Sequence, residues 1–375
     1  MNNNIPVCEP LLGGREREYV LDALDSGWIS SSGKYIAAFE RAFASYIGVK
    51  HGIAVANGTV ALHLALTALG IKKGDEVIIP DFTMIASAFA VCYTGAKPVF
   101  VDAEARTWNI DPSKIEEKVT TKTKAIMAVH IYGHPCEMNS ILEISKKHDL
   151  KVIEDAAEVH GAEYLGKKCG NLGDIAGFSF FANKIATTGE GGMVVTNDDE
   201  LAEKCRYFRN LCFPIKGERV HLHNDIGFNY RISNLHAAIG LAQVQKIDFY
   251  VARRRENNRF YREYLSEIPG ITFQQELAGS KNVYWMNAIV IDRDAFGTSR
   301  NELKVKLKKE GIDTRYFFCG MHRQPSLVKY GCQRKGNYEV ADWLAENGLY
   351  LPSGSGLSES EIERISGIII KSAGR

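Results

Sequence analysis

Residues 178–193 read Phe178-Ser179-Phe180-Phe181-Ala182-Asn183-Lys184-Ile185-Ala186-Thr187-Thr188-Gly189-Glu190-Gly191-Gly192-Met193. The apolar run Ile175 to Phe181 reads as a buried strand. It ends in a short polar turn that presents Lys184, then passes through glycines into a second strand, Met193 to Thr196. Lysine is almost never fully buried unless paired, so a lysine at this place has two readings. Either it is a solvated charge at a strand end, or it is held inside. There burial disfavours the ammonium and leaves a neutral, nucleophilic amine. The rest of the chain decides between them.

From residue 52 strand and helix alternate. Short β-rich runs stand at 52–56, 76–80, 98–102, 125–130, 152–154, 175–181 and 193–196. Helix-period segments at 59–69, 85–93, 112–119, 138–148 and 201–209 separate them, and Asp111-Pro112 is a good start for the third. Two more helices, at 14–26 and 35–47, precede the first strand. Such alternation predicts an α/β fold, a mainly parallel seven-stranded sheet with helices on both faces. Ligands of these sheets sit at the carboxyl ends of the strands. After Ile232 the alternation stops. A long helix is expected over 234–266, with Arg253, Arg254, Arg255 and Glu256 on its solvated face. It leads into a smaller α+β region with strands near 271–273, 284–291, 313–318 and 349–351. Ser299 with Glu302 and Ser358 with Glu361 are capping boxes there. The expected division is residues 1–235 and 236–375.

Composition excludes several classes. The 375 residues are 45% hydrophobic and 24% charged, ordinary for a globular chain. A net charge of +1 gives no attraction to nucleic acid or to an anionic membrane. No apolar run reaches membrane-span length, and residues 1–6 show no signal-peptide pattern. Eight cysteines without C-x-x-C spacing fit reduced thiols in a cytoplasm. G-x-x-x-x-G-K-[ST] and G-x-S-x-G are absent, and no G-x-G-x-x-G follows the first strand. Gly133 and Pro135 interrupt the spacing of His130 and His134, which argues against a zinc pair.

Four strand ends carry polar residues that suit one phosphorylated, carbonyl-bearing cofactor. Asn57-Gly58-Thr59 is an anion site at a helix start, or a plain turn and cap. In Glu154-Asp155-Ala156-Ala157-Glu158 a carboxylate either keeps a pyridine nitrogen protonated or caps the next helix. Ser179 donates to a phosphate or satisfies buried backbone. Lys184 is the fourth.

Taken together, these motifs resemble the DegT/DnrJ/EryC1/StrS family of nucleotide-sugar aminotransferases. The resemblance covers nearly the whole chain and includes Trp28-Ile29-Ser30, residues 57–63, 154–158 and 180–193, Gly227-Phe228-Asn229-Tyr230-Arg231, residues 237–243 and Met321-His322. Within the family the chain looks most like enzymes that aminate C4 of a GDP-linked 4-keto-6-deoxy sugar. They share the Trp-Ile-Ser-Ser run, a Glu at position 158 and the Thr-Thr-Gly-Glu-Gly-Gly-Met ending.

The resemblance implies the aspartate-aminotransferase fold (fold type I) for the large domain and pyridoxal 5′-phosphate, with its pyridoxamine form, as cofactor. It implies that Lys184 bonds the cofactor aldehyde, Asp155 pairs with the pyridine nitrogen and Glu158 lies near the ring hydroxyl. Gly58, Thr59 and Ser179 would hold the phosphate, joined by Asn229 from the neighbouring subunit of a homodimer with shared active sites. L-Glutamate would supply nitrogen to the nucleotide-linked keto-sugar. Trp28, Ser30, Arg231, Arg315 and His322 are candidates to touch that sugar, the two arginines being equally readable as structural ion pairs. A UDP- or dTDP-linked sugar, or amination at C3, is the alternative. Two positions depart from the family pattern. Met84 stands where an aromatic usually covers the cofactor ring, so either its sulfur or Phe82 takes that place. Ala182 replaces a glycine and puts the local backbone in question.

Overall fold

The computed structural model describes residues 4–215, 221–332 and 336–374. Seven strands form the central sheet: β1 (His51–Val55), β2 (Glu76–Pro80), β3 (Lys97–Val101), β4 (Thr123–Val129), β5 (Lys151–Asp155), β6 (Ile175–Ser179) and β7 (Gly192–Thr196). Their spatial order is β1-β7-β6-β5-β4-β2-β3. Only β7 runs against the others. Both faces are covered, which is why these strands read as unbroken apolar runs rather than alternating ones. Asp155 sits at the end of the middle strand, in register with Gly177 of β6. Ser179 and Lys184 therefore emerge beside it.

Two helices, α1 (Glu16–Asp25) and α2 (Lys34–Ile47), precede the first strand as expected. Asn57 opens α3 (Gly58–Ala68), its side chain accepting from Val60 N at 3.0 Å. In the preceding helix, Lys34–Ile47, Phe39 and Phe43 are fully buried with ring centres 6.5 Å apart. Residues 112–119 do not make the expected helix. They form two 3-10 turns, Pro112–Lys114 and Glu116–Lys118. Ile115 is the one fully buried side chain of this segment, so no apolar face offsets the cost of helix nucleation.

The expected long helix is two helices, Asn234–Val244 and Ile247–Leu265. Lys246 leaves helical geometry (φ −123°, ψ 8°), and the break turns Ile247, Tyr250, Val251 and Arg254 inward. This corrects the solvated face read for the arginines. Arg253 and Arg255 are half-buried, whereas Arg254 is 1% exposed. Beyond lies an antiparallel four-stranded sheet of Ile271–Phe273, Asn287–Ile291, Gly348–Leu351 and Arg315–Tyr316. Helix Glu359–Ser372 packs with it over a second core containing Leu303, Leu349 and Ile365. Both capping boxes are present. The N-terminal segment belongs to this core as well. Ile5 bridges Ile312, with Ile5 N–H donating to Gly311 O at 2.8 Å.

Asn234 holds the loop before the first-core helices in place. Its side chain accepts from Tyr35 N at 3.0 Å and donates to Trp28 O at 2.6 Å. Its own N–H donates to Ser30 O at 2.6 Å. Asn234→Ala leaves Tyr35 N–H and Trp28 O without their partner and should lower unfolding free energy by roughly 2 kcal/mol in urea denaturation.

Candidate active site

The turn after β6 folds Lys184 inward. Lys184 N–H donates to Phe181 O at 2.9 Å, and the preceding carbonyl, Asn183 O, accepts from Trp285 Nε1 at 2.8 Å and from Cys8 Sγ at 3.3 Å. The amine lies 3.7 Å from the centre of the Trp285 ring and 3.8 Å from Glu158 Oε1. The Lys184 side chain is 11% exposed. Burial holds the amine below the usual lysine range, against the pull of Glu158 and Asp155. Of the two readings of this lysine, the interior one is observed. Ala182 has no positive φ, so its extra methyl leaves the turn unstrained.

Around the amine stand two carboxylates. Glu158 Oε2 accepts from Tyr132 N at 2.7 Å, and Tyr132 takes φ +56° at that bond, a left-handed conformation rare for a bulky residue. Burial raises the Glu158 pKa while Lys184 lowers it. Asp155 Oδ2 accepts from Ser87 Oγ at 2.7 Å and Oδ1 from Ala157 N at 3.2 Å. Ser87 is backed by Thr83 at 3.0 Å. Burial raises Asp155 too, and these donors favour its charged form. Behind it, Glu154 accepts from the N–H groups of Gly170, Leu172 and Gly173 (2.7–2.8 Å) and from His130 Nε2 at 3.1 Å. This buried knot, with Cys169 near it, fixes the end of β5. His134 lies outside it, its Nδ1 on Pro135 O and its Nε2 accepting from Leu277 N. No zinc pair forms from these two histidines.

The start of α3 meets the end of β6. A Cβ on Gly58 would lie 2.6 Å from Ser179 Cβ, so only glycine lets the first turn approach this closely. Gly58, Thr59 and the Ser179 hydroxyl thus border one cup whose free N–H groups suit an anion. Asn229 stands exposed on a segment that bridges Asn210.

The candidates for a second ligand divide. Trp28 (61% exposed) and Ser30 share the loop pinned by Asn234, and Arg231 joins it with Nε on Ser31 Oγ at 3.2 Å and Nη1 on Asn210 Oδ1 at 2.6 Å. Arg231, Ser31, Arg206 and Phe213 line a cavity of about 260 Å³. Arg315 is elsewhere, in an exposed ion pair with Asp313 at 2.6 Å. His322 is buried between sheet and small domain. Its Nδ1 meets Asp81 Oδ2 at 2.8 Å, and its ring stacks on Tyr338 at 4.5 Å. Phe82 is fully buried against Tyr132, Phe317 and Phe318, so it is not free to cover a ring. Met84 is 47% exposed.

The sequence profile of the DegT/DnrJ/EryC1/StrS aminotransferase family matches residues 10–370. The chain belongs to this family. It is 46% identical to GDP-perosamine synthase of Caulobacter vibrioides, covering 96% of each chain. It is also 46% identical to GDP-perosamine synthase of Escherichia coli O157:H7, over 96% of this chain and 95% of that one. The crystal structure of DesI in the presence of its TDP-sugar product superposes with a TM-score of 0.90 at 32% identity, covering all of this chain and 94% of that one.

Pyridoxal phosphate is the cofactor of this aminotransferase family, and the residues here fit it. A buried amine, a buried carboxylate that accepts from Ser87 and a glycine-walled anion cup stand at neighbouring strand ends. Asn183 Oδ1, one residue before Lys184, is buried without a hydrogen-bond partner among the described residues. Sequence reasoning missed Ser87, Trp285 and Cys8. The i, i+4 spacing of Thr83 and Ser87 was a usable signal for the first, while the other two come from distant segments that only folding joins to Lys184. Ser87→Ala removes a donor from the Asp155 carboxylate. It should weaken pyridoxal phosphate binding roughly tenfold in absorbance titrations of cofactor-free protein. Because the Asp155 pKa then rises further, the loss should deepen as pH falls.

Proposed function

We propose that this aminotransferase moves the amino group of L-glutamate to C4 of a GDP-linked 4-keto-6-deoxy sugar, giving GDP-perosamine for surface polysaccharide, in the cytoplasm. The single observation that carries the reading is the Lys184 amine, buried between Glu158 and the Trp285 ring in a chain so similar to GDP-perosamine synthases. The cofactor supplies an electron sink for the α-carbon of the amino donor. Lys184 would hold the cofactor through its Nζ, and that amine would take and return the proton of the amino donor. Asp155 would pair with the pyridine nitrogen, Glu158 and Met84 would border the ring, and Gly58, Thr59 and Ser179 would hold the phosphate. Trp28, Ser30 and Arg231 form the wall for the nucleotide sugar. His322 and Arg315 support the domain junction and the small-domain surface rather than that wall.

The functional unit is a homodimer in which Asn229 reaches the partner's phosphate cup. Leu222 and Ile226, on the same segment, are 74% and 89% exposed, which suits a face covered by a second copy. Residues 1–235 form the cofactor domain and 236–375 the small domain, with the Ile5 segment crossing onto the latter.

Incubation with glutamate and a panel of GDP-, UDP- and dTDP-4-keto-6-deoxy sugars tests the reaction. The expected product is a GDP-linked 4-amino sugar, identified by mass and NMR. A product only from UDP- or dTDP-sugars, or one aminated at C3, replaces the substrate, and no amino sugar at all removes the reading. Lys184→Ala should abolish turnover in the same assay. Mixing Lys184→Ala with Asn229→Asp subunits should restore about a quarter of wild-type activity, since half the dimers are mixed and each holds one intact site. Independent sites within each subunit would restore none.

A further inference from the structure

Arg254 is buried as deeply as the hydrophobic core around it, yet among the described residues it meets no carboxylate. Its Nε donates to Ser355 Oγ at 3.1 Å, Nη1 to Trp285 O, and Nη2 to Cys8 Sγ at 3.3 Å. All three acceptors are neutral. Cys8 Sγ donates in turn to Asn183 O. A buried guanidinium normally has an acid beside it, since isolated interior charge is costly. Here two of the three groups that Arg254 holds, Trp285 and Cys8, are the two that hold the carbonyl preceding Lys184. The Trp285 ring also lies under the Lys184 amine.

We propose that Arg254 is a positioning residue whose uncompensated positive charge, behind the Trp285–Cys8 clamp, disfavours a second cation at Lys184 and so keeps that amine neutral for attack. It acts through Lys184 and touches no substrate. The groups that bear on the amine are few. Glu158 and Asp155 favour its charged form, while burial and Arg254 oppose it. His160, enclosed by Phe43, Phe178 and Phe180, is held neutral down to about pH 3 by burial. Two acids against one arginine leaves the balance sensitive to removal of that arginine. The inference rests on Lys184 being the amine that the cofactor engages, but its test needs neither cofactor nor turnover.

The experiment is competitive labelling of cofactor-free protein with acetic anhydride across pH, with the Lys184 peptide quantified by mass spectrometry. In Arg254→Met the midpoint for Lys184 should move up by about one pH unit, so that labelling below it falls about tenfold at a given pH. Arg254→Lys keeps the charge and should leave the midpoint near wild type. Ser355→Asp leaves Arg254 in place but sets a carboxylate against it, and should shift the midpoint upward as Arg254→Met does. Circular dichroism and urea midpoints report folding, and if Arg254→Met is unfolded the other two variants still decide. An unmoved midpoint in folded Arg254→Met, or in Ser355→Asp, overturns the proposal. Equal shifts in Arg254→Lys and Arg254→Met overturn it too, assigning the effect to the lost fork rather than to charge. A failed midpoint shift leaves the sugar-amination assay, and hence the proposed reaction, untouched.

Discussion

Burying one amine sets the terms for most of this site. An ammonium stripped of water is costly, and the cost is relieved either by an acid or by loss of the proton. Lys184 has Glu158 within 3.8 Å, so the acid is available. Yet Glu158 is itself buried, which makes its own charge expensive even with Tyr132 N–H donating to it. Neither partner of the pair therefore holds its charge cheaply. A lysine in this state gives up its proton far more readily than a surface lysine, and a group that must alternate between base and nucleophile needs that freedom.

The surrounding contacts make sense as support for that arrangement. Asn183 O accepts from Trp285 and Cys8, so the turn cannot swing the lysine outward without breaking two bonds from separate segments. Glu154, saturated by three N–H groups and His130, anchors the strand end that presents Asp155. Asp155 in turn is aimed by Ser87, itself bonded to Thr83. Each functional group thus rests on a second group from another segment, and that restricts side-chain geometry as proton transfer needs.

How much of this could be read in the residues follows from which forces are local. The strands were legible because a two-sided sheet needs consecutive apolar residues, and Glu76–Pro80 shows that pattern without interruption. The starts of helices were legible because Asn57 and Ser299 act on N–H groups two or three residues away. The amine, acid and phosphate cup were legible as strand ends, and the family resemblance then gave them roles. What was not legible depends on partners far along the chain. Three consecutive arginines look like a solvated face, and nothing in Arg253-Arg254-Arg255 says that the middle one turns inward. That depends on the break at Lys246 and on Ser355 and Cys8, which lie 101 and 246 residues from Arg254. The partner of His322, Asp81, is likewise 241 residues away, beyond any local pattern.

The same long-range contacts bear on how two different substrates can use one amine. Cys8 follows the Ile5 strand, which is bonded into the small domain through Gly311 and Asp313. Trp285 and Arg254 also come from the C-terminal half, whereas Asn183 and Lys184 hang from the large sheet. The lysine is therefore gripped from one side by the sheet and from the other by segments far along the chain. On the proposed reaction, those segments do not need to carry a catalytic side chain to matter. By keeping the indole under the amine and the guanidinium behind it, they keep the electrostatic setting of Lys184 the same whichever substrate lies above.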